Sequence, residues 1–455
     1  MESIEARYER GKQLRGELPR SSHDTFTRPS DVDPVDVLFA QEAGRLESLI
    51  PVRHQRMGES PYSFYRAGAR LMAVDLARSP TTNLIVQACG DAHLANFGWY
   101  GSPERRLVFD INDFDETLPA SFEWDLKRLV ASLVIASTDN GIEPADREAI
   151  AMHCTRAYRD AMTDFASRGL LEVWYAHFDA EELLKSLHAS GTSKDVKRAE
   201  AFTDKARRQD SRKALEKLTE RVDGRIRIIS DPPFVIPIRD LDTPGIPGDQ
   251  VEEIVRGTLD SYTETMPDHL AALLARFDLV DVALKVVGVG SVGTRCFIVL
   301  LQGRDEGDPL FLQVKEAGRS VLEDPFPPSV YDHHGRRVVE GQRSMQTHSD
   351  LFLGWTTGTG ANAFQFYVRQ LKDMKASAPI EDFGPRRMKN YAGLCAWTLA
   401  QCHARTGDPV ALSGYMGSGD VFAEAITGFA VAYAAQNEAD YSEFAKRVGF
   451  SDATT

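Results

Sequence analysis

The chain has 455 residues, 42% apolar and 26% charged, the proportions of an ordinary folded protein with a core large enough for more than one structural unit. A formal net charge of −14 argues against nucleic acid as a partner, because that binding needs basic surface to neutralise phosphates. No apolar run nears the roughly 20 residues of a membrane helix, and the charged start Met1–Arg7 has none of a secretory leader's apolar stretch. The five scattered cysteines form neither a disulfide framework nor a C-x-x-C metal pair, so no membrane partner and a cytoplasmic setting are expected.

Residues 1–60 are polar and interrupted by Pro19, Pro29, Pro34 and Pro51, which predicts an extended arm with one short helix over Pro34–Leu49. Helical periodicity begins at Tyr62–Ala77. A strand, Leu84–Ala88, runs into a loop around Asp91, and a second, Arg106–Phe109, runs into an acidic loop. Helices follow from Trp124 to about Val222, most regular over Trp124–Thr138 and Pro144–Arg168. Within them Lys194–Arg227 interleaves acids and bases at helical spacing, the pattern of a solvated face. Ile226–Asp249 holds five prolines and reads as a linker or ordered loop. After a helix over Gln250–Phe277 come strands Val282–Val287, Arg295–Leu301 and Leu310–Val314, a helix Arg336–Leu351 and a strand Ala363–Gln370. Two helices, Met388–Thr406 and Gly419–Val448, close the chain. The block 278–375 is therefore a small β-rich lobe, flanked by a helical lobe made from 61–277 and 376–455, behind an arm of 1–60.

Two motifs in the first half carry chemistry. In Cys89-Gly90-Asp91-Ala92-His93-Leu94-Ala95-Asn96, the spacing D-x-x-x-x-N lets one tight loop present a carboxylate and an amide oxygen to the same phosphate. Asp91 would orient or deprotonate an acceptor hydroxyl, and Asn96 would help hold magnesium. His93 has no second histidine at metal-ligand spacing, so bracing of the loop by hydrogen bonds is expected of it. Magnesium prefers one or two carboxylates with phosphates and water. The acidic segment Phe109-Asp110-Ile111-Asn112-Asp113-Phe114-Asp115-Glu116 offers Asp113 as first choice and Asp110, at tighter hairpin spacing, as second. Asp115 and Glu116 read as loop acceptors or a second-metal contact. An EF-hand is excluded because glycine is missing from its required position. Asp125 is expected to cap its own helix and to bond the backbone of the Asp91 loop.

The second half holds Gly288-Val289-Gly290-Ser291-Val292-Gly293. A dinucleotide fingerprint needs a helix next, whereas Thr294–Leu301 is β-branched and aromatic. The glycines are therefore placed at a hairpin tip, where backbone N–H groups can approach nucleotide phosphates. Gly288, Gly290, Ser291, Gly293 and Arg295 are the candidate nucleotide contacts there. Lys315, on the strand Phe311–Lys315, would pair the α- and β-phosphates, with Glu340 as its carboxylate partner and Glu323 as the alternative; an edge-strand lysine is the plainer reading. Phe366–Leu371 resembles the hinge strand between kinase lobes, whose backbone would bind adenine with Val368 to Leu371, Val368 and Gln370 among them, nearest; a buried core strand is the equal reading for its side chains.

Together these motifs resemble the catalytic loop, metal loop, glycine-rich loop and nucleotide lysine of protein kinases and aminoglycoside phosphotransferases, with the two halves in exchanged order. Cys89 stands where such enzymes usually begin the catalytic motif with histidine. The helix ending in Cys402–Asp408 resembles the one that precedes the catalytic loop in kinases. The resemblance implies an α+β, bilobal, circularly permuted kinase-like fold, a rearrangement that surface termini permit. Nearly the whole chain also resembles a bacterial family of unknown function, through CGDAHLANFG, FDINDFDET, FEWDLKRL, VVGVGSVGTRCF, LFLQVKEA, VVEGQRSMQ, FYVRQLKDMK and QCHARTGD. SPYSFYRAGA departs slightly from that family's usual ending. The implied activity is ATP- and magnesium-dependent phosphoryl transfer to a small molecule or protein hydroxyl, with Asp91, His93 and Lys315 catalytic. Rival readings are a nucleotide-binding pseudokinase that senses or scaffolds, a protein nucleotidyltransferase, and a dehydrogenase if a helix follows Gly293.

Overall fold

The computed structural model describes residues 2–190, 192–241, 248–359, 363–371 and 374–450. The first strands are β1 (Ile85–Ala88), β2 (Phe97–Gly101), β3 (Leu107–Ile111), β4 (Leu118–Ser121), β5 (Phe178–Asp179), β6 (Thr219–Val222) and β7 (Arg225–Ile228). The rest are β8 (Val235–Pro237), β9 (Asp278–Lys285), β10 (Cys296–Gln302), β11 (Pro309–Glu316), β12 (Gly354–Thr357) and β13 (Gln365–Gln370). Helices predominate, and the fold is α+β with several small sheets. One six-stranded antiparallel sheet runs β12-β13-β11-β10-β9-β8, one three-stranded sheet runs β2-β3-β5, and β1-β4 and β6-β7 are ribbons.

Strand alternation divides the large sheet into two faces. Leu312, Val314, Phe366 and Val368 face a core with Tyr262, Met266 and Leu274, from the helical stretch after residue 248. Phe311, Ile298 and Leu300 face Ala214 and Leu218 of the helix Ser211–Leu218. Lys315 shares its face with Phe311 and lies opposite Cys296 and Tyr367 in register. It therefore projects beyond the apolar part of that face, toward the loops that follow β1 and β3.

Those loops rest on the largest core, around the helix Glu123–Asp139, in which every residue from Glu123 to Ser137 is buried. Such all-round burial marks a central helix. Pro144–Ala166, Pro385–Thr406, Pro409–Met416 and Val421–Arg447 complete the core, so it is built from both ends of the chain. Pro385–Thr406 ends against β1: Thr406 Oγ1 accepts from the Gln87 amide at 3.1 Å. A Cβ on Gly407 would sit 2.7 Å from Val86 Cγ1, so glycine is needed there.

The first 60 residues differ from the expected arm. They form helices Ile4–Glu17, Pro34–Ala40 and Ile50–Met57. Pro34 and Pro51 start helices instead of breaking them, as proline does in a first turn, and the Asp33 side chain caps the first of these. Ile4–Glu17 is held by docking: Gly11 packs where any Cβ would strike the Ala411 carbonyl, and Arg7 pairs with Asp408 at 2.5 Å. Two predicted helices are split, Tyr62–Ala77 at Gly68 and Gln250–Phe277 at Pro267. The stretch Ile226–Asp249 contributes β7 and β8, and its residues 242–247 lie outside the described residues. The strands β2, β4, β5 and β12 and the helix Pro409–Met416 carried too few residues to stand out in the sequence. Among the described residues no helix is long and apolar enough to cross a membrane, and all five cysteines are buried thiols.

Candidate active site

The Asp91 loop is fixed from beneath by Asp125. Its two carboxylate oxygens accept from the Cys89 amide at 2.6 Å and the Gly90 amide at 2.9 Å, while His403 Nε2 lies 3.2 Å away. The expected bond to the loop backbone is therefore present, but Asp125 does not cap its own helix, where no side-chain cap bond forms. Gly90 has φ +81°, and a Cβ there would strike the Glu116 backbone, so the turn requires glycine. Arg128 donates through Nε to Asp91 Oδ1 at 2.8 Å, and its Nη2 stands at the same distance. The guanidinium also donates to the Tyr65 carbonyl at 2.8 Å and stacks 3.9 Å from the Tyr65 ring centre. Asp91 thus has Oδ2 left to offer. Asn96 Nδ2 donates to the carbonyls of Asp91 at 3.0 Å and Asp113 at 3.1 Å, which joins the two loops and leaves Oδ1 as its remaining group.

His93 braces the loop through its backbone, not its ring: its amide donates to the Asp91 carbonyl at 2.8 Å. Burial, with Arg66 and Arg128 nearby, outweighs the Asp91 charge and lowers the ring to about 4. The imidazole is neutral at pH 7, so the 3.7 Å approach of Nε2 to Asp91 is not an ion pair, and Nδ1 is buried without a hydrogen-bond partner.

Lys315 is 2% exposed. Its ammonium lies 3.1 Å from Asp113 Oδ2, pairs also with Asp115, and meets Asp115 beside the Tyr367 hydroxyl, which donates to that carboxylate at 2.9 Å. Burial opposes ionisation of Asp113, but Lys315 and Arg369 overcome it and hold the carboxyl well below its usual range. Burial and the Asp113 charge push Asp115 upward. Neither glutamate expected beside Lys315 is there. Glu340 lies 3.6 Å from Arg343 on its own helix, because the buried Val338 and Val339 set which face turns inward. Glu323 bonds the Ser320 amide at 3.2 Å and stands 3.4 Å from Arg319. Glu116 accepts from the Val321 amide at 2.7 Å, and burial raises it to about 7.

Asp110 is separated from the crevice. It sits within β3, accepts from the Ile111 amide at 2.8 Å and from Cys402 Sγ at 3.4 Å, and burial raises it to about 7. Asp113 comes after the strand ends and lines the crevice.

The glycine segment joins β9 to β10, so a strand follows Gly293 and the geometry of a dinucleotide fingerprint is absent. Gly288, Gly290 and Ser291 line the crevice. Gly293 makes the turn with φ +90°, and its carbonyl accepts from Leu46 at 2.8 Å. Arg295 is spent on Glu316 at 3.2 Å, the Gly44 carbonyl at 3.1 Å and the Phe364 ring at 3.8 Å, and does not itself line the crevice. The side chains of Val368 and Gln370 turn away, as the core-strand reading has it. Val368 is buried in the sheet core and the Gln370 amide donates to Asp350, while alternation brings Arg369 and Leu371 to the crevice.

The crevice encloses about 700 Å³ and brings together Asp91, His93, Asn96, Asp113, Lys315 and the glycine turn. Although the chain is acidic overall, Arg45, Arg66, Arg70, Arg319, Arg369 and Lys375 also line it. Burial and Arg369 lower Lys375 to about 7. None of these bases, nor Arg128 behind Asp91, stood out as a site residue in the sequence. Arg128 follows Asp125 at i+3, a spacing that puts both on one helix face toward the loop. Among the described residues no three His, Cys, Asp or Glu side chains form a ready-made metal cage. The donors at hand, Asn96 and Asp113 with Asp115 adjacent, suit a hard cation that arrives with phosphate oxygens. Residues 45–447 match a family described as an uncharacterized protein conserved in bacteria (DUF2252). No curated protein and no solved structure matches the chain.

Proposed function

For this chain, which belongs to the bacterial family DUF2252, we propose an ATP- and magnesium-dependent phosphotransferase activity on a circularly permuted, bilobal kinase-like fold. One observation carries this reading. Lys315 reaches Asp113 across 202 positions of sequence, in a crevice that also holds Asp91, Asn96 and a glycine-rich hairpin tip. Phosphoryl transfer needs those groups together and little covalent chemistry from the protein.

In this reading the acceptor oxygen attacks the γ-phosphorus while its bond to the β,γ-bridging oxygen breaks, ADP departs, and the hydroxyl proton passes to Asp91 Oδ2. Arg128 holds the other oxygen of Asp91 and so aims this one. Lys315 steadies the α- and β-phosphates, and the amides of Gly288, Gly290 and Ser291 cover them. Asn96 and Asp113 would hold magnesium, which when bound neutralises phosphate charge. Contact between the end of Pro385–Thr406 and β1 supports the permutation, since an unpermuted chain would run from that helix directly into the strand.

Nucleotidyl transfer is a second reading, favoured by the bases at one end of the crevice. Arg369 on β13 and Lys375 after it stand there, where an apolar slot would suit adenine. The test incubates the protein with magnesium, a bacterial extract and ATP labelled at either the α- or the γ-phosphate. Transfer of the γ-label by the wild type, slowed by about 100-fold or more in Asp91→Asn, is expected. Transfer of the α-label selects nucleotidyl transfer, and no transfer from either position overturns catalysis in favour of a sensor.

A further inference from the structure

The wall of the crevice beside Asp91 is built by the junction of the helices Pro61–Ala67 and Ala69–Leu76, and it carries Arg66. Among the described residues the side chain of Arg66 makes neither a hydrogen bond nor an ion pair, and its Nε is buried without a partner. His93, which lines the same crevice, has a second orphan, the buried Nδ1. Arg128, on Asp91 itself, has a third in its Nη1. Buried polar atoms are nearly always hydrogen-bonded, and an unmet donor is costly, so three neighbouring exceptions around one carboxylate mark a place where a ligand supplies the partners. Arg66 is close to the chemistry. The Tyr65 carbonyl before it and Asp91 share the guanidinium of Arg128. On the nucleotide side, a Cβ on Gly290 would sit 3.6 Å from the Arg66 carbonyl, so the glycine turn adjoins the same wall. Arg70, with its weaker 3.7 Å contact to Asp324, adds positive charge at the rim.

We propose that Arg66 anchors an anionic group of the acceptor, so that the substrate is a hydroxyl compound that also bears a phosphate or carboxylate. This deepens the phosphotransferase reading and rests on it. A planar guanidinium with its donors unspent suits both anions, which it can engage with two parallel hydrogen bonds. The neutral His93 ring adds a hydrogen bond without adding charge. Held there, the anion leaves the acceptor hydroxyl within the reach of Asp91 Oδ2.

The test is calorimetric titration of inorganic phosphate, and in parallel malonate, into the full chain with and without saturating magnesium and a non-hydrolysable ATP analogue. Wild type is expected to bind one of these anions while the analogue is in place, and the tighter of the two identifies the anionic group. Arg66→Gln should weaken that binding by about tenfold or more, Arg66→Lys should retain part of it, and both variants should keep wild-type affinity for the analogue. Because Arg66 makes no bonds to lose, these variants should also keep the wild-type melting temperature. Anion binding unchanged in Arg66→Gln, or displaced when the analogue binds, overturns the proposal. If the analogue does not bind at all, the phosphotransferase reading fails, and the titration without nucleotide still decides whether Arg66 holds an anion.

Discussion

Arg128 donates through Nε to one oxygen of Asp91 and pairs with the same oxygen through Nη2 at 2.8 Å, which leaves the other oxygen free of it. Arg128→Met should cut turnover by about 100-fold and lower stability by about 3 kcal/mol in urea denaturation, because it leaves a carboxylate without its buried partner. Lysine should restore charge but not the fork, and so only part of the turnover. Asp110 gives a pH signature. Its folded pKa of about 7 exceeds the ordinary aspartate value, so its contribution is fully present in acid and is lost as pH rises toward 7. Between about pH 4 and 7 the loss approaches 1.4 kcal/mol per pH unit. Asp110→Asn should therefore flatten the fall in melting temperature over that range, with its largest gain above pH 7; equal slopes in both proteins would refute the assignment. Sequence could not separate Asp110 from Asp113, since both stand in one acidic run. The end of β3 separates them, leaving Asp110 among Cys402 and the core and Asp113 in the open loop. The partner of Lys315 was illegible for a related reason: helix rotation decides where Glu340 points.

At the scale of elements, the glycine turn is held by the chain's beginning. Arg45 donates to the Val292 carbonyl at 2.5 Å, Arg53 to the Gly290 carbonyl at 3.2 Å and Arg56 to the Val287 carbonyl at 3.2 Å. Arg45→Ala should loosen the turn. Hydrogen exchange of the amides from Gly288 to Gly293 should accelerate while those of β9 and β10 stay unchanged, whereas uniform acceleration would mean general destabilisation. The hairpin itself was legible, because β-branched residues after Gly293 announce a strand. The arm was not, because a proline reads alike whether it breaks a helix or starts one, and because Ile4–Glu17 depends on docking against Pro409–Met416. Register was also hidden. The side of β13 that meets the crevice follows from the pairing of Lys315 with Tyr367, which brings Arg369 and not Val368 or Gln370 to the site.

Across the whole molecule, the helical core takes most of its parts from residues before 170 and after 380, with Val338, Val339 and Met345 added from the chain between them, which also assembles the large sheet. Separate fragments 1–241 and 248–455 should each lack a cooperative thermal transition by circular dichroism and regain one when mixed; a cooperative melt of either alone would contradict a shared core. The halves of the site are likewise distant in sequence and adjacent in space. Calorimetric titration of ATP, with and without magnesium, into wild type, Lys315→Met and Asp113→Asn measures whether they act as one nucleotide site. Magnesium-dependent binding in the wild type, weakened by about tenfold or more in each variant, is the predicted result; the same affinity in all three proteins, or no ATP binding by the wild type, would contradict it.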